Sequence, residues 1–207
     1  MSRTRALPRL LCPPPTRRPF TFLAPPGPQT LTAARRLPYD HKQLYGIIAD
    51  VDSYQHFLPY CQSSRVTSWV PSSSSSSSSE RWPWQADLTV GWGGIQETYT
   101  SRIVCQPARG VLEAISGGDA PVEVPGVFKS LVTRWTVRAV EEGDMAGAGR
   151  DWSDVQLSIK YQFANPLYTA VGSAMADKVA PAIVKAFVER AELVLGETGK
   201  KASNSLR

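Results

Sequence analysis

Apolar positions recur at two different periods along this chain, and the change of period divides it. From Asn165 to Gly196 the period is that of a helix. Tyr168, Val171, Met175, Val179, Ile183, Phe187, Ala191 and Val194 follow one another at steps of three or four, which makes one stripe of a helix roughly nine turns long. Asp177, Lys178, Lys185, Glu189, Arg190 and Glu192 fall mostly off that stripe. Asn165 is placed to cap the helix, Pro166 suits its first position, and Gly196 ends it where a left-handed residue is wanted. Pro181 interrupts the pattern and predicts a kink, because it removes one backbone hydrogen bond.

Upstream the period is mostly two. Thr30–Leu37 reads as a first strand. Asp40 then caps a helix through Ala49, with Leu44, Tyr45, Ile47 and Ile48 as its apolar positions, and Asp52 caps a second short helix, Ser53–Leu58, that Pro59 ends. Six further strands are predicted over Gln62–Val70, Trp82–Trp92, Ile95–Val104, Gly110–Ile115, Leu131–Arg138 and Val155–Phe163. Between Trp82 and Trp92 the residues Trp84, Ala86, Leu88 and Val90 alternate with Pro83, Gln85, Asp87, Thr89 and Gly91. Strands joined by short turns form an antiparallel meander with one polar face. The expected class is therefore α+β: a twisted antiparallel sheet of about seven strands curls around the long C-terminal helix, with two short helices after the first strand.

Composition changes this picture at the ends. The chain has 207 residues and a net charge of +5. Residues 1–36 hold seven arginines and no acid, so 5 − 7 = −2 remains for residues 37–207. A body of that charge loses the electrostatic support for nucleic-acid binding. Residues 1–29, rich in Arg and Pro, free of acid and lacking a secretory apolar core, have the character of a disordered mitochondrial presequence. Residues 30–198 are left as one domain, and 199–207 as a tail. Residues 71–80 contain eight consecutive serines, Ser72 to Ser79, and read as a solvated loop insertion.

Candidate chemistry is sparse. The glycines of Gly91–Gly94 precede a strand and lack a third glycine at the right offset, so they are no dinucleotide fingerprint. Gly199-Lys200 follows a helix and is no phosphate loop. Three cysteines make no disulfide framework, and two histidines make no metal site. Glu97, Glu113 and Glu123 have no base paired with them. No catalytic residue and no metal is expected.

Leu37–Val66, LPYDHKQLYGIIADVDSYQHFLPYCQSSRV, closely resembles the opening of the mitochondrial coenzyme Q-binding proteins, of the START-like, polyketide-cyclase superfamily. Three further segments match in order: ADLTVGWGGIQETYTSRI from Ala86, FKSLVTRWTV from Phe128 and VQLSIKYQFANPLY from Val155. The resemblance spans residues 30–195. FLPYC at Phe57–Cys61 with RW at Arg134-Trp135 and FANPLY at Phe163–Tyr168 is its most specific combination. The serine tract and Pro181 depart from the family's pattern.

The resemblance implies a helix-grip fold with an apolar cavity between sheet and long helix. It implies non-enzymatic binding of ubiquinone and its delivery for respiration and ubiquinone biosynthesis. The implied place is the matrix side of the mitochondrial inner membrane, against its lipid surface, with respiratory-chain or quinone-biosynthesis complexes as recipients. Leu131, Trp135, Leu157, Ile159, Phe163, Met175, Val179, Ile183 and Phe187 become expected walls. Thr133, Tyr161 and Ser101 or Tyr99 become donors to the quinone carbonyls. Leu58, Pro59 and Tyr60 are expected at the cavity mouth. Trp82, Trp84 and Trp92 either anchor at a membrane interface or fill the sheet. Two other readings stay open: an aromatase or cyclase of the same superfamily, and a protein-binding module like the family's ribosome-acting bacterial relative.

Overall fold

Every period-two segment pairs into a single sheet. In the computed structural model of the protein, seven strands lie in the order β1-β7-β6-β5-β4-β3-β2, each antiparallel to its neighbour. They are β1 (Gln29–Leu37), β2 (Cys61–Pro71), β3 (Arg81–Trp92), β4 (Ile95–Gln106), β5 (Val111–Gly117), β6 (Phe128–Ala139) and β7 (Ser153–Phe163). Helix α1 (His41–Ala49) and a 3-10 helix (Val51–His56) follow β1, and α2 (Pro166–Leu195) closes the order. The structure describes residues 27–71, 81–92, 95–117, 128–140, 152–164 and 166–196, with side chains described at all of these except 71, 92, 95 and 166–177. The presequence up to residue 26, the serine tract, the Gly93-Gly94 turn, the 141–151 loop, the Asn165 cap and the C-terminal tail lie outside the described residues.

Local chemistry accounts for the short helices. The Asp40 carboxylate accepts from the backbone N–H groups of Lys42 and Gln43 at 2.9 and 3.1 Å, satisfying two donors of the first turn of α1. The buried face of that helix, Leu44, Tyr45, Ile48 and Ala49, packs on the sheet, and the Tyr45 hydroxyl donates to the Val111 carbonyl at 3.1 Å. The second helix departs from expectation. Asp52 does not cap it; the helix begins at Val51, two residues earlier than expected, and the Asp52 carboxylate instead accepts from the Val66 N–H of β2 at 2.6 Å. Ser64 adds a hydrogen bond to the Val51 carbonyl, so this helix is tied to the start of the edge strand β2.

Helix α2 spans 30 residues, about 45 Å at 1.5 Å per residue. It runs on through Pro181, which lies on the exposed side where the lost hydrogen bond faces water. From Ala180 onward the buried positions are Ala180, Val184, Ala186, Phe187 and Ala191. Of the expected stripe, Phe187 and Ala191 are buried and Val179 and Ile183 are half-buried against the core, while Val194 is exposed beside Leu193 at 77%. Gly196 ends the helix with φ +84°, as expected, and its carbonyl accepts from the Tyr39 hydroxyl at 3.0 Å.

One further expectation is corrected, and one charge count is refined. Alternation along β3 fails at Trp84. The pairing of β2 with β3 slips between Val66 and Trp69, Pro83 is fully buried, and Trp84 is turned outward under the Arg102 guanidinium at 6.0 Å. Trp82 stays inside, edge-on to Tyr45 at 5.5 Å. The charge division also moves. Arg35 and Arg36 belong to β1, and Arg36 grips Asp154 of β7 at 2.7 and 2.8 Å. Returning these two arginines to the body gives −2 + 2 = 0 for residues 30–207, and leaving out the tail's Lys200, Lys201 and Arg207 gives 0 − 3 = −3 for residues 30–198, so the domain stays mildly acidic.

Candidate functional site

Register arranges the inward-facing side chains of the sheet in rows across the strands. One row is Cys105, Leu112, Trp135 and Leu157. Beside it, Val137 and Val155 form the next. These residues, Cys105 apart, are buried, Leu157 at 0% exposure. Phe187 of α2 covers this end. Its ring lies 4.5 Å from that of Trp135, 5.3 Å from Tyr54 and 5.0 Å from Phe57, each at an edge-to-face angle that suits the aromatic quadrupoles. Gly110 closes the corner: its φ is +61°, and a Cβ there would meet the Val137 carbonyl at 2.0 Å. This end is packed and apolar.

Moving along the strands in the other direction, the rows change character. Ile103, Ala114, Thr133 and Ile159 come first, then Ala86, Ser101, Ser116, Leu131 and Tyr161, then Leu88 and Tyr99, and last Cys61, Val90 and Glu97. Ala114, Thr133, Leu131, Leu88 and Val90 are only half-buried although they face the helix side. Hydroxyls gather here. Ser101 and Ser116 hydrogen-bond each other, and Tyr161 donates to Gln29 Oε1 at 2.8 Å. Tyr99 is 3% exposed, yet its hydroxyl, like that of Thr133, has no hydrogen-bond partner among the described residues. Burial, with the Glu97 carboxylate as the second cause, pushes the Tyr99 phenol well up, so it stays protonated and a donor at any physiological pH. Phe128 joins this end together. Its ring lies 5.6 Å from Tyr99, 5.7 Å from Tyr161 and 5.0 Å from Phe163, against which it stacks.

The structure thus separates the residues singled out in the sequence. Tyr99, Leu131, Thr133, Tyr161 and Phe163 come together at the hydroxyl-lined end. Trp135, Leu157 and Phe187 sit in the packed end, where their surfaces are occupied by one another. Val179 and Ile183 are half-buried against the core, and the Met175 side chain lies outside the described ones. Glu97, Ser116 and Phe128 were not among the expected site residues. The strict alternation Glu97–Tyr99–Ser101 could have placed the first of them. Phe128 is hidden by a bulge between Phe128 and Ser130 that breaks the alternation of β6.

Leu58, Pro59 and Tyr60 lie just before the outermost row. Leu58 and Pro59 are half-buried, and Tyr60 is 38% exposed. Tyr60 has φ +66°, a left-handed conformation that costs a residue with a Cβ about 1–2 kcal/mol. It is held there by its carbonyl, which accepts from the Gly91 N–H at 2.9 Å. Gly91 leaves room for Gln62, whose side chain would lie 1.9 Å from any Cβ. Arg190 stacks over Phe57 at 5.6 Å, closing the packed side of this corner. Of the tryptophans, Trp82 fills the core, while Trp84 and Trp69 lie exposed with Arg102 and Arg81 over their rings. The side chain of Trp92 is outside the described ones.

Reactive groups are muted. Burial pushes the Cys105 thiol up to about 11 and raises that of Cys61, so both stay protonated and weakly nucleophilic at neutral pH. Among the described residues there is no cluster of His, Cys, Asp or Glu able to hold a metal, and no helix long and apolar enough to cross a membrane.

The profile of the family described as polyketide cyclase / dehydrase and lipid transport matches residues 37–188. The chain is 29% identical over 161 residues to the mitochondrial coenzyme Q-binding protein coq10 of Schizosaccharomyces pombe, covering 78% of this chain and 85% of that one. It is 28% identical over 160 residues to the ribosome association toxin RatA of Pseudomonas aeruginosa, covering 77% and 93%. In fold it is similar to the Zhui aromatase/cyclase from Streptomyces sp. R1128, with TM-score 0.62 at 14% identity, over 84% of this chain and 99% of that one.

Proposed function

This chain belongs to the polyketide cyclase / dehydrase and lipid transport family, and we propose that within it the protein is a non-enzymatic carrier of coenzyme Q. The observation that carries the reading is the hydroxyl-lined end of the inner sheet face. There the Tyr99 ring is buried and its hydroxyl has no partner among the described residues, beside apolar side chains that are only half-buried. A quinone carbonyl is an acceptor and would satisfy that donor. Its isoprenoid tail is apolar, and each square ångström it buries contributes about 25 cal/mol. Leu131, Thr133, Tyr161 and Phe163 line the head-group end in this reading, and Val179, Ile183 and Met175 lie along the tail. Trp135, Leu157 and Phe187 hold the floor in shape. The similarity to the S. pombe coenzyme Q-binding protein supports the choice of ligand.

Leu58, Pro59 and Tyr60 form the entrance in this proposal. An exposed tyrosine fixed in a left-handed turn suits a membrane interface, where its ring meets lipid and its hydroxyl meets water. Quinone would then pass without crossing bulk water, and be delivered to respiratory or quinone-synthesising complexes. Residues 1–29 would direct the protein to mitochondria, and the carrier would work peripherally at the matrix side of the inner membrane. No metal enters this chemistry.

Organic extraction of the full chain, purified from a membrane-containing source, followed by mass spectrometry tests the reading. A carrier yields ubiquinone in stoichiometric amount. A folded protein that yields none, even after incubation with quinone-loaded liposomes, would refute it. The similarity to RatA favours a second reading, a protein-binding module. That protein would carry no quinone and would sediment with ribosomes.

A further inference from the structure

Among the described residues, Glu97 is the one carboxylate on the inner rows of the hydroxyl-lined end, and carriage of an oxidised quinone gives it no task. It pairs with Val90 in the outermost row and lies two residues from Tyr99 along β4. An unbroken register puts both side chains on the same inner face, since Ala86–Ser101 and Leu88–Tyr99 follow without a bulge. Glu97 is half-buried and has no hydrogen-bond or ion-pair partner among the described residues. Its charge is felt by the Tyr99 phenol, whose ionisation it disfavours. A protonated donor and an unpaired acceptor therefore stand side by side at the mouth of the proposed cavity.

Those two groups together do not complement a quinone. A quinone oxygen only accepts hydrogen bonds, so it satisfies Tyr99 and leaves the carboxylate facing an oxygen that offers no hydrogen. A quinol hydroxyl both donates and accepts. It can receive the Tyr99 hydrogen and give its own to Glu97, a charge-assisted bond stronger than a neutral one. We infer that Glu97 and Tyr99 form a redox-selective head-group site that binds the dihydroquinone in preference to the quinone. No electron or proton is transferred in this step; selection lies in hydrogen-bond complementarity alone. The inference rests on the carrier reading and adds the form in which the cargo is held.

The test is equilibrium titration of the full chain with a short-tailed ubiquinol and the corresponding ubiquinone, under anaerobic conditions, followed by tryptophan fluorescence. The expected result is preference for the quinol by about tenfold, the size set by one charge-assisted hydrogen bond. Glu97→Gln should bring the two affinities within about threefold of each other, because the amide can donate to a quinone carbonyl. Tyr99→Phe should weaken both forms alike, because its hydrogen is used by either. Circular dichroism checks that each variant is folded. Equal affinity of the parent for the two forms, or a preference that survives in Glu97→Gln, would overturn the inference while leaving quinone carriage standing. Binding of neither form by the folded parent would overturn both.

Discussion

The two ends of the inner sheet face are built from the same strands and the same alternation, yet they behave as different materials. At one end Leu112, Trp135, Val137 and Leu157 share a buried core with Phe187 and Val184, and the hydroxyls of neighbouring Tyr45 and Tyr54 are each bonded to a backbone carbonyl. At the other, Tyr99, Ser101, Ser116, Thr133 and Tyr161 bring five hydroxyls into a region where Leu88, Val90 and Leu131 are only half-buried. Neither Tyr99 nor Thr133 spends its hydroxyl on a partner among the described residues, so Phe and Val would serve the fold there equally well. The difference teaches that the first end holds the fold together and that the second is kept for something the fold does not supply.

The comparison breaks most visibly if the packed end is opened. Trp135→Ala removes a side chain whose ring meets Phe187 at 4.5 Å, and should destabilise the protein by about 3–5 kcal/mol, the range for a buried Trp or Phe cut to Ala. Urea denaturation measures this directly; a loss under about 1 kcal/mol would mean that this end is not the core. Tyr99→Phe at the other end sharpens the contrast. It should leave stability within about 1 kcal/mol, since no described partner is orphaned, and should weaken quinone binding by roughly threefold to tenfold, the worth of one neutral hydrogen bond. Paired denaturation and titration curves separate the two effects.

The smallest effect belongs to neither end. Asp154 and Arg36 join β7 to β1 at the exposed surface, and the Arg36 guanidinium bonded to Asp154 holds its carboxyl below the ordinary carboxylate range. A lowered folded value means that the stabilisation is present above the unfolded value and is lost as pH falls through the folded one. Asp154→Asn should therefore cost stability at neutral pH and nothing at strongly acid pH. Both side chains are substantially exposed, so solvent screening limits the cost to under about 0.5 kcal/mol. Melting temperatures of parent and variant across pH 2–7 provide the check, and a gap that widens towards acid would contradict the assignment.

Much of the packed end was legible in the sequence. Val155, Leu157, Ile159, Tyr161 and Phe163 alternate without interruption, and β7 is found where they place it. Asp40 and Gly196 act at the helix ends as their residue types require. Errors arose where a distant partner decided the outcome. Asp52 looks like a cap by local rules, but Val66, fourteen residues on, takes its carboxylate. Trp84 looks like an inner residue until Pro83, which has no N–H for the ladder, coincides with a slip in pairing and turns the indole outward. The hydroxyl-lined end was legible only as a set of inward residue types. Whether Ser101 is a free donor depends on Ser116 across the strand pair. Period alone does not reveal which hydroxyl finds a partner.

The most direct test of the division is photolabelling of the full chain with a quinone analogue that carries a photoreactive group near its ring, followed by peptide mapping. The account predicts label on peptides from β3, β4 and β6 that contain Leu88, Tyr99 and Leu131, reduced by excess ubiquinone and by Tyr99→Phe. Label confined to the outer face around Trp69 and Trp84, or label that excess ubiquinone does not displace, would contradict it.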